Sequence, residues 1–430
     1  MAEPVLHLSH RWNWHSIRLR VLSMSVVLAF VTYMDRVCIS VAAPDIQKDL
    51  HLSTVQMGLV FSAFTAAYAI FEIPTGWWAD RRGSRFVLSR IVLWWSTFTA
   101  LTGLATGFHS LVAVRALFGA GEAGAWPTVS RALTRWFPVR ERSSAQGIFF
   151  MGAHLGGGFT PLLVAAMVSR IGWRMTFPLL SIAGVLWVMA WLRWYRDEPR
   201  DHPRITTEEL WLITQARQTP SEIHNERSIF LALFRTPSVW FLCAMYFTQT
   251  YGFNFYVTWL PTYLHHERGF SGKTLALYSG VPLLLSVPAD LFGGMLSDRL
   301  AQAYGLRAGR CLVGALSLGS AGFFLFLGAK LPSIAAPVFL GIGAACSNFL
   351  LGAAWSSCAD MTEQHAGVLG ATMNTAGQIG GVLCPIVFAW LAQRSGDWSA
   401  PLYLTAILYA FGAVCWYFIH PERAIHLASI

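Results

Sequence analysis

Two charged residues, Arg115 and Glu122, stand inside an apolar stretch that is long enough to cross a lipid bilayer. The stretch runs from about 111 to 132, and its centre, 114–127, reads V-R-A-L-F-G-A-G-E-A-G-A-W-P. A charge at membrane depth costs about 3 kcal/mol on insertion scales, so it needs a function or a partner. Seven residues make two helical turns, which places both side chains near one face, about 10 Å apart along the axis. We therefore predict that this helix lines a polar cavity; the alternative is an ion pair that serves packing alone.

Two earlier apolar runs add further polar residues at membrane depth. The first contains Tyr33, Asp35 and Arg36, and the second contains Tyr68 and Glu72. Residues three or four apart share a helical face, so Tyr33 can lie beside Arg36. Neighbours on a helix diverge by about 100°, so Asp35 and Arg36 cannot face the same direction. A cancellation of charge within one helix is the alternative to a functional role.

A histidine and one more acid occur deep in later runs. His154 is expected either to pack through hydrogen bonds or to line the cavity, and its titration near neutral pH leaves a proton relay open. Asp290 is well inside an apolar run. The sequence assigns it no role.

The second half of the chain supplies polar and amphipathic residues at depth instead of cations. Two of them are four residues apart and share a helical face. Hydrogen bonds that only pack helices together are the alternative, because such bonds average about 0.6 kcal/mol and occur freely in membrane bundles. The candidates are Asn254, Tyr256, Trp355, Ser356, Ser357, Asn374 and Gln378.

The composition indicates a polytopic membrane protein. Hydrophobic residues make up 55% of the chain and charged residues 12%, against about 25% charged in soluble domains, and the mean hydropathy is +0.48. The net charge of +9 comes from short basic clusters between apolar runs, which argues against nucleic-acid binding. The seven cysteines are scattered without a Cys-x-x-Cys pair, so neither a disulfide framework nor a metal site is expected. We expect no cofactor either.

Twelve apolar runs of spanning length predict an all-α integral membrane protein with two pseudo-symmetric bundles of six transmembrane helices. A polar segment separates the halves, giving predicted units at 1–196, 197–236 and 237–430. The runs are 18–43, 54–79, 86–106, 109–132, 144–169, 174–196, 238–264, 274–297, 309–328, 332–358, 366–392 and 399–420.

Lysine and arginine predict the orientation. With the N-terminus inside, 22 of the 31 Lys and Arg residues fall on the inner side and seven on the outer side. Positive residues are retained on the cytoplasmic side. We therefore expect both termini and the loop Arg196–Thr236 to be cytoplasmic in an inner membrane.

A short motif follows the second run of each half. After the second run the chain reads G-W-W-A-D-R-R-G-S-R, with Gly76, Asp80, Arg81 and Arg85. Here a small residue permits close contact, an acid caps the turn and arginines lie at the cytoplasmic face. A shorter version, with Asp298 and Arg299, follows the eighth run. Its recurrence at the corresponding place indicates an internal duplication.

With these features the whole chain resembles the major facilitator superfamily. A narrower resemblance rests on Y-M-D-R, F-E-I-P-T-G-W, R-A-L-F-G-A-G-E-A-G-A-W-P, R-W-F-P-V-R-E-R-S-S-A and F-Y-V-T-W-L-P-T-Y-L. These are similar to the anion:cation symporter family, which includes hexuronate, galactonate and phthalate permeases and the animal sialic acid transporter. The resemblance implies alternating access, a substrate carboxylate on Arg36, and proton symport through Asp35 and Glu122. His154 departs from galactonate-type members, which tend to have glutamine there.

We therefore predict a proton-coupled symporter of a small organic anion, and not an enzyme, because no nucleophile–base set or metal cluster is assembled. A membrane sensor is disfavoured for want of an output domain. Arg115 is expected to pair with a cavity acid, and Glu72 is a weaker coupling candidate because related sequences often carry Gln. A sugar acid (hexuronate or aldonate) is favoured over a phthalate-like carboxylate or dicarboxylate; export or antiport remains an alternative. A monomer is expected.

Overall fold

The computed structural model describes residues 16–214, 226–260, 263–264, 267–270, 272–331 and 335–425. Within these ranges the regular secondary structure is entirely helical, without a strand. Helices satisfy every backbone hydrogen bond inside one segment, which a bilayer requires. This agrees with the predicted all-α class.

The first half of the chain forms six helices. They are α1 (Ile17–Asp49), α2 (Thr54–Arg82), α3 (Ser84–Thr102), α4 (Phe108–Glu122), α5 (Ala125–Trp136) and α6 (Arg142–Trp194). Helices α4 and α5 make one pass that breaks at Gly124, whose φ of +82° suits glycine. Helix α6 makes two passes, which divide at Gly172, where φ is +74°.

The second half begins after two short connecting helices, α7 (Thr207–Thr214) and α8 (Glu226–Arg235). Its passes are α9 (Pro237–Thr258), α10 (Gly272–Tyr304), α11 (Val313–Lys330), α12 (Ala336–Asn348), α13 (Leu351–Met361), α14 (Ala366–Ser395) and α15 (Ala400–Cys415). Helices α12 and α13 together make one pass. The described helices thus give six passes in each half.

Eight segments among the described residues are long and apolar enough, by length and composition alone, to cross a membrane. The α4–α5 pass is not among them. It is broken into pieces of 15 and 12 residues, and it carries Arg115, Glu122, Arg131 and Arg135. Neighbouring helices bury three of these charged side chains, those of Arg115, Glu122 and Arg131.

Glycines bring the first and fifth passes of each half into close contact. A Cβ on Gly156 of α6 would lie 2.5 Å from the Phe30 carbonyl oxygen of α1. A Cβ on Gly380 of α14 would lie 2.5 Å from the Phe247 carbonyl oxygen of α9. Small residues allow helix backbones to approach where no hydrophobic effect drives association. The same contact in both halves agrees with the predicted duplication.

Glycines also join the two halves. A Cβ on Gly294 of α10 would lie 2.3 Å from the Ser143 carbonyl oxygen at the start of α6. A Cβ on Gly76 of α2 would lie 2.8 Å from the Gly367 carbonyl oxygen at the start of α14. The second helix of each half therefore packs on the fifth pass of the other. Gly76 makes the close contact that its motif predicted.

Candidate functional site

Arg36 of α1 and Glu122 of α4 form an ion pair within the first half, between Nε of the arginine and Oε1 of the glutamate. Glu122 is the last residue of α4, next to the break at Gly124. Its side chain is 1% exposed, whereas that of Arg36 is 20% exposed. The Arg36 Nη2 and the Glu122 Oε2 are both buried without a hydrogen-bond partner. The pair therefore holds one buried unused donor and one buried unused acceptor.

Four aromatic rings surround the Arg36 guanidinium. Its Cζ lies 4.9 Å from the ring centroid of Tyr68, 5.3 Å from Phe64, 5.7 Å from Trp126 and 5.8 Å from Tyr33. Ring faces attract a cation, by about 0.5–2 kcal/mol for each contact. Tyr33 and Tyr68 were predicted for this site, but Phe64 and Trp126 were not. The spacing of Phe64 was visible, since it is four residues before Tyr68 on α2 and shares its helical face, whereas Trp126 lies beyond the break at Gly124.

Arg115 is not the ion partner of Glu122, which differs from the pairing expected for it. Its Cζ lies 4.3 Å from the Phe118 ring centroid and 5.0 Å from that of Phe64, and among the described residues it forms no ion pair. Positions 115 and 122 are separated by about 10 Å of helical rise. Helix α1 passes closer and supplies Arg36 instead.

Asp35 faces away from Arg36, as expected from their positions on α1. It is 1% exposed, and neither carboxylate oxygen has a hydrogen-bond partner. Arg115 and Glu122 are among the charges that act on it. Asp35, Arg115 and Glu122 thus belong to one buried charged group, and Glu122 links it to Arg36.

Glu72 of α2 is contacted by the other half of the molecule. Asn374 of α14 donates its amide hydrogen to Oε1 at 2.5 Å, and Thr375 donates its hydroxyl to Oε2 at 3.3 Å. Glu72 is fully buried. The structure therefore brings together two predicted residues, Glu72 and Asn374, that are 302 positions apart in sequence.

His154 of α6 contacts Asp290 of α10, again across the two halves. The distance from Nδ1 to Oδ2 is 2.6 Å, and the side chains are 3% and 0% exposed. The other Asp290 oxygen, Oδ1, has no partner. The His154 ring centroid is 6.2 Å from that of Tyr33 and 5.8 Å from that of Phe253. This contact gives Asp290 a partner that the sequence did not reveal.

The remaining candidates of the second half do not converge on Arg36. Asn254 donates to the Thr250 carbonyl at 3.0 Å and Ser357 to the Ala353 carbonyl at 2.8 Å. The Tyr256 hydroxyl lies 2.9 Å from where a Cβ on Gly343 would stand, inside its own half.

One tryptophan, one serine and one glutamine complete this set of candidates. Trp355 donates its indole N–H to the Tyr246 hydroxyl at 3.1 Å. Ser356 is fully buried, and its hydroxyl has no partner. Gln378 is half-buried. Asn254, Ser357 and Trp355 are therefore engaged within their own half, whereas the Tyr256 and Ser356 hydroxyls are buried without a partner.

The two motif aspartates cap helices of the opposite half and not their own turn, which corrects the expectation. Asp80 accepts hydrogen bonds from the backbone N–H groups of Gly367 at 3.1 Å and Val368 at 2.8 Å, at the start of α14. An ion pair with Arg131 at 3.3 Å completes its contacts. Helix N-termini favour such carboxylates because their N–H groups are unpaired.

Asp298 repeats this arrangement. It accepts from the backbone N–H groups of Ser143 at 3.2 Å and Ser144 at 2.6 Å, at the start of α6, and it pairs with Arg310 at 2.7 Å. Arg310 also contacts Asp360 at 3.0 Å. We call the end of the molecule that holds Asp80 and Asp298 the motif end.

The motif arginines have other contacts. Arg81 is exposed over the Trp77 ring at 4.8 Å, Arg85 donates its backbone N–H to Asp197 at 3.1 Å, and Arg299 is exposed. The partners of the motif aspartates, Arg131 and Arg310, lie outside the motif. Sequence reasoning missed them because Arg131 comes from α5 and Arg310 from the helical segment after α10, and only packing brings them to the aspartates.

The two halves are joined at the motif end. Among the described residues, the hydrogen bonds and ion pairs between halves lie from the level of Glu72 and His154 to the motif end, and Arg142 adds contacts to Asp360 at 3.2 Å and Glu363 at 3.0 Å. At the end of the molecule away from the motif end, the described residues form no hydrogen bond or ion pair between the halves.

Residues 26–385 match the model of the Major Facilitator Superfamily. The chain belongs to the major facilitator superfamily. A relative named "Probable sulfoacetate transporter SauU", from Cupriavidus necator, is 38% identical over 93% of this chain and 93% of its own length. The hexuronate transporter of Bacillus subtilis is 29% identical over 92% of this chain and 93% of its own. The D-galactonate transporter of Escherichia coli is 29% identical over 89% and 92%.

A solved structure of the proton:xylose symporter XylE has the same fold, with a TM-score of 0.73 over 95% of this chain and 98% of that chain, at 15% identity. The superfamily fold confirms twelve helices in two bundles. The protein is thus a multi-pass integral membrane transporter of anions and not an enzyme, as the sequence predicted.

Proposed function

We propose that this superfamily member carries a small organic anion across the inner membrane together with a proton. The Arg36 guanidinium carries the proposal, because its side chain is 20% exposed, its Nη2 donor is unused, and it lies against a buried acid. Arginine offers a fork of N–H groups that fits a carboxylate or sulfonate, and charge-assisted hydrogen bonds are about twice as strong as neutral ones. The surrounding rings hold this cation in place for the anion.

Coupling follows from competition for Arg36. When Glu122 takes up a proton, its ion pair with Arg36 weakens and the guanidinium becomes available to the anion. When the anion leaves, Glu122 loses the proton and pairs with Arg36 again. The buried charges of Asp35 and Arg115 act on the same proton equilibrium of Glu122. Glu72 is the further candidate for a coupling acid. Sodium is the alternative coupling ion, and transport measured without sodium distinguishes proton coupling from sodium coupling.

The engagement of the second half favours a compact anion. A hydroxyl that loses water without gaining a partner costs about 1–3 kcal/mol, so a sugar acid needs several free groups near Arg36. Asn254, Ser357 and Trp355 already have partners. A short chain with a carboxylate or sulfonate needs fewer. The name of the 38% identical relative, a probable sulfoacetate transporter, supports the same class.

A sugar acid is the second candidate, and it is the one the sequence favoured. The hexuronate and galactonate transporters among the relatives support it. It requires Gln378 and Asn254, which are half-buried, to turn toward the substrate as the halves move.

A ligand screen with the purified protein tests the proposal. Sulfoacetate, galactonate, glucuronate and phthalate are compared by thermal shift, and the ligands that stabilise are then followed in proteoliposomes with an imposed proton gradient. We expect stabilisation by sulfoacetate, uphill accumulation that a protonophore abolishes, and loss of both in Arg36→Ala. Stabilisation by galactonate or glucuronate alone selects the second candidate. Stabilisation by phthalate alone, or accumulation that depends on sodium only, contradicts both.

We further propose that both termini and the loop Arg196–Thr236 face the cytoplasm, that the chain acts as a monomer, and that transport is inward. The 22 to seven distribution of Lys and Arg supports the orientation. In this orientation the motif end, where the halves are bonded together, is cytoplasmic, and the opposite end faces the outside, as uptake of an anion requires.

A further inference from the structure

Asp290 and Glu72 occupy equivalent places in the two halves. Asp290 is eight residues before the motif aspartate Asp298, and Glu72 is eight residues before Asp80. Each acid is fully buried on the second helix of its half and is contacted by the fifth pass of the other, through His154 and Asn374. Only the Asp290 contact joins two groups that both titrate. The duplication has therefore produced one interface acid with a neutral partner and one with a proton-binding partner.

We infer that His154 and Asp290 form a proton-binding site, distinct from the Arg36–Glu122 pair, that must hold one proton before the motif end can open. The inference rests on the proposed function for its place in a transport cycle. Its structural basis is a contact of 2.6 Å between two buried side chains from opposite halves. Any movement that separates α6 from α10 at this level breaks that contact.

Whether the pair holds a proton decides whether this separation leaves an unpaired buried charge. With one proton on the pair, the Nδ1–H bond of the imidazolium breaks and an O–H bond forms at Oδ2 of Asp290. A neutral imidazole and a neutral carboxylic acid then separate without an unpaired charge. Without that proton, separation leaves a buried carboxylate with no partner, which is strongly unfavourable.

Few other charges face the pair. On α1, the Tyr33 ring lies beside His154. Arg36, which is paired with Glu122 of α4, lies over the Tyr33 ring. From α9 the neighbour is Phe253.

The other elements add no charge at this level among the described residues. Near α12, Asn348 donates to Ser286 of α10 at 2.7 Å, and both are uncharged. The nearest acid along α10 is Asp298, about 12 Å away by helical rise, and it is paired with Arg310. The proton equilibrium of the site therefore depends mainly on the pair itself.

Pulsed electron paramagnetic resonance on the full-length protein in lipid bilayers tests the inference without any transported anion. Spin labels at exposed positions Arg193 and Ala303 report the distance between halves at the motif end, and labels at exposed Thr106 and Arg394 report the opposite end. The native cysteines are replaced in all samples. The populations of open and closed motif end are measured from pH 5 to pH 9.

In the unsubstituted pair, the open population at the motif end should rise as the pH falls, and one linked proton changes the open-to-closed ratio by up to tenfold per pH unit. Asp290→Asn mimics the protonated acid. It should raise the open population at high pH and reduce the slope by one proton. Ser286→Ala, which removes a buried polar group one turn earlier on α10 within one half, is the matched control and should behave as the unsubstituted protein.

An unchanged slope in Asp290→Asn, or the same change in Ser286→Ala, overturns the inference. If Asp290→Asn does not purify as a monodisperse protein, His154→Gln decides the question. It should move the midpoint by at least one pH unit, because the proton then has one acceptor, and an unchanged midpoint overturns the site. Since no anion is present, failure here leaves the proposed substrate untouched, and a failed ligand screen leaves this site untouched.

Discussion

Replacement of Arg36 by lysine separates the role of a forked donor from that of a positive charge. Arg36 uses Nε for Glu122 and keeps Nη2 unused. Lysine retains the charge but has a single nitrogen on a flexible stem, so it cannot serve the acid and the anion from two edges. It also loses the flat face that packs among four aromatic rings.

The expected magnitude follows from the number of hydrogen bonds lost. One charge-assisted hydrogen bond contributes about 1.5–3 kcal/mol, and each 1.4 kcal/mol is a factor of about ten in affinity. Arg36→Lys should therefore raise the Kd for sulfoacetate by about 10-fold to 150-fold. Isothermal titration calorimetry on the purified protein measures this change, and anion exchange in proteoliposomes should fall in parallel at subsaturating concentrations.

Arg115→Lys is the matched control for this experiment. Arg115 lies over Phe118 and Phe64, is 3% exposed and has no ion pair among the described residues. Its substitution should change the Kd by less than about threefold, because its guanidinium lacks the exposed surface of Arg36. An unchanged Kd in Arg36→Lys, or a larger loss in Arg115→Lys, would show that Arg36 is not the anion anchor.

Three further predictions concern coupling, orientation and packing. Glu122→Gln should abolish uphill accumulation yet retain anion exchange, because the amide cannot exchange a proton; retained uphill transport in proteoliposomes would reject Glu122 as the coupling acid. A cysteine at Ser221, which lies outside the described residues, should resist impermeant maleimide in intact cells and react after lysis; labelling in intact cells would reverse the orientation. Gly156→Ala should destabilise by about 1–3 kcal/mol, because its Cβ meets the Phe30 carbonyl oxygen at 2.5 Å. Gly280→Ala is its control, since nothing lies within 4 Å of that Cβ; equal melting temperatures for the two variants would contradict the close contact.

The spanning segments, the duplication and the charged residues at depth were all readable from the sequence. Each is a local property, because the cost of placing a residue in hydrocarbon depends mainly on that residue and its position in the run. The recurrence of the motif after the second helix of each half likewise predicted the duplication into two bundles. Arg36, Tyr33, Tyr68 and Glu122 were named for the cavity from their depth and spacing and from the family resemblance, and the structure brings these four together.

Partner choice was decided by tertiary structure alone. Glu122 pairs with Arg36 from another helix and not with Arg115 from its own, and Asp80 and Asp298 cap helices of the opposite half. An ion pair forms only within about 4 Å, and which side chains come that close depends on how distant helices pack.

The second half shows the same limit most clearly. Its polar residues have the composition of a binding surface, yet Asn254, Ser357 and Trp355 bond within their own bundle. A buried polar group takes whichever partner packing places beside it. The sequence pattern could not distinguish these two environments. For the same reason Asp290 had no visible role until packing placed it 2.6 Å from His154, 136 positions away in the chain.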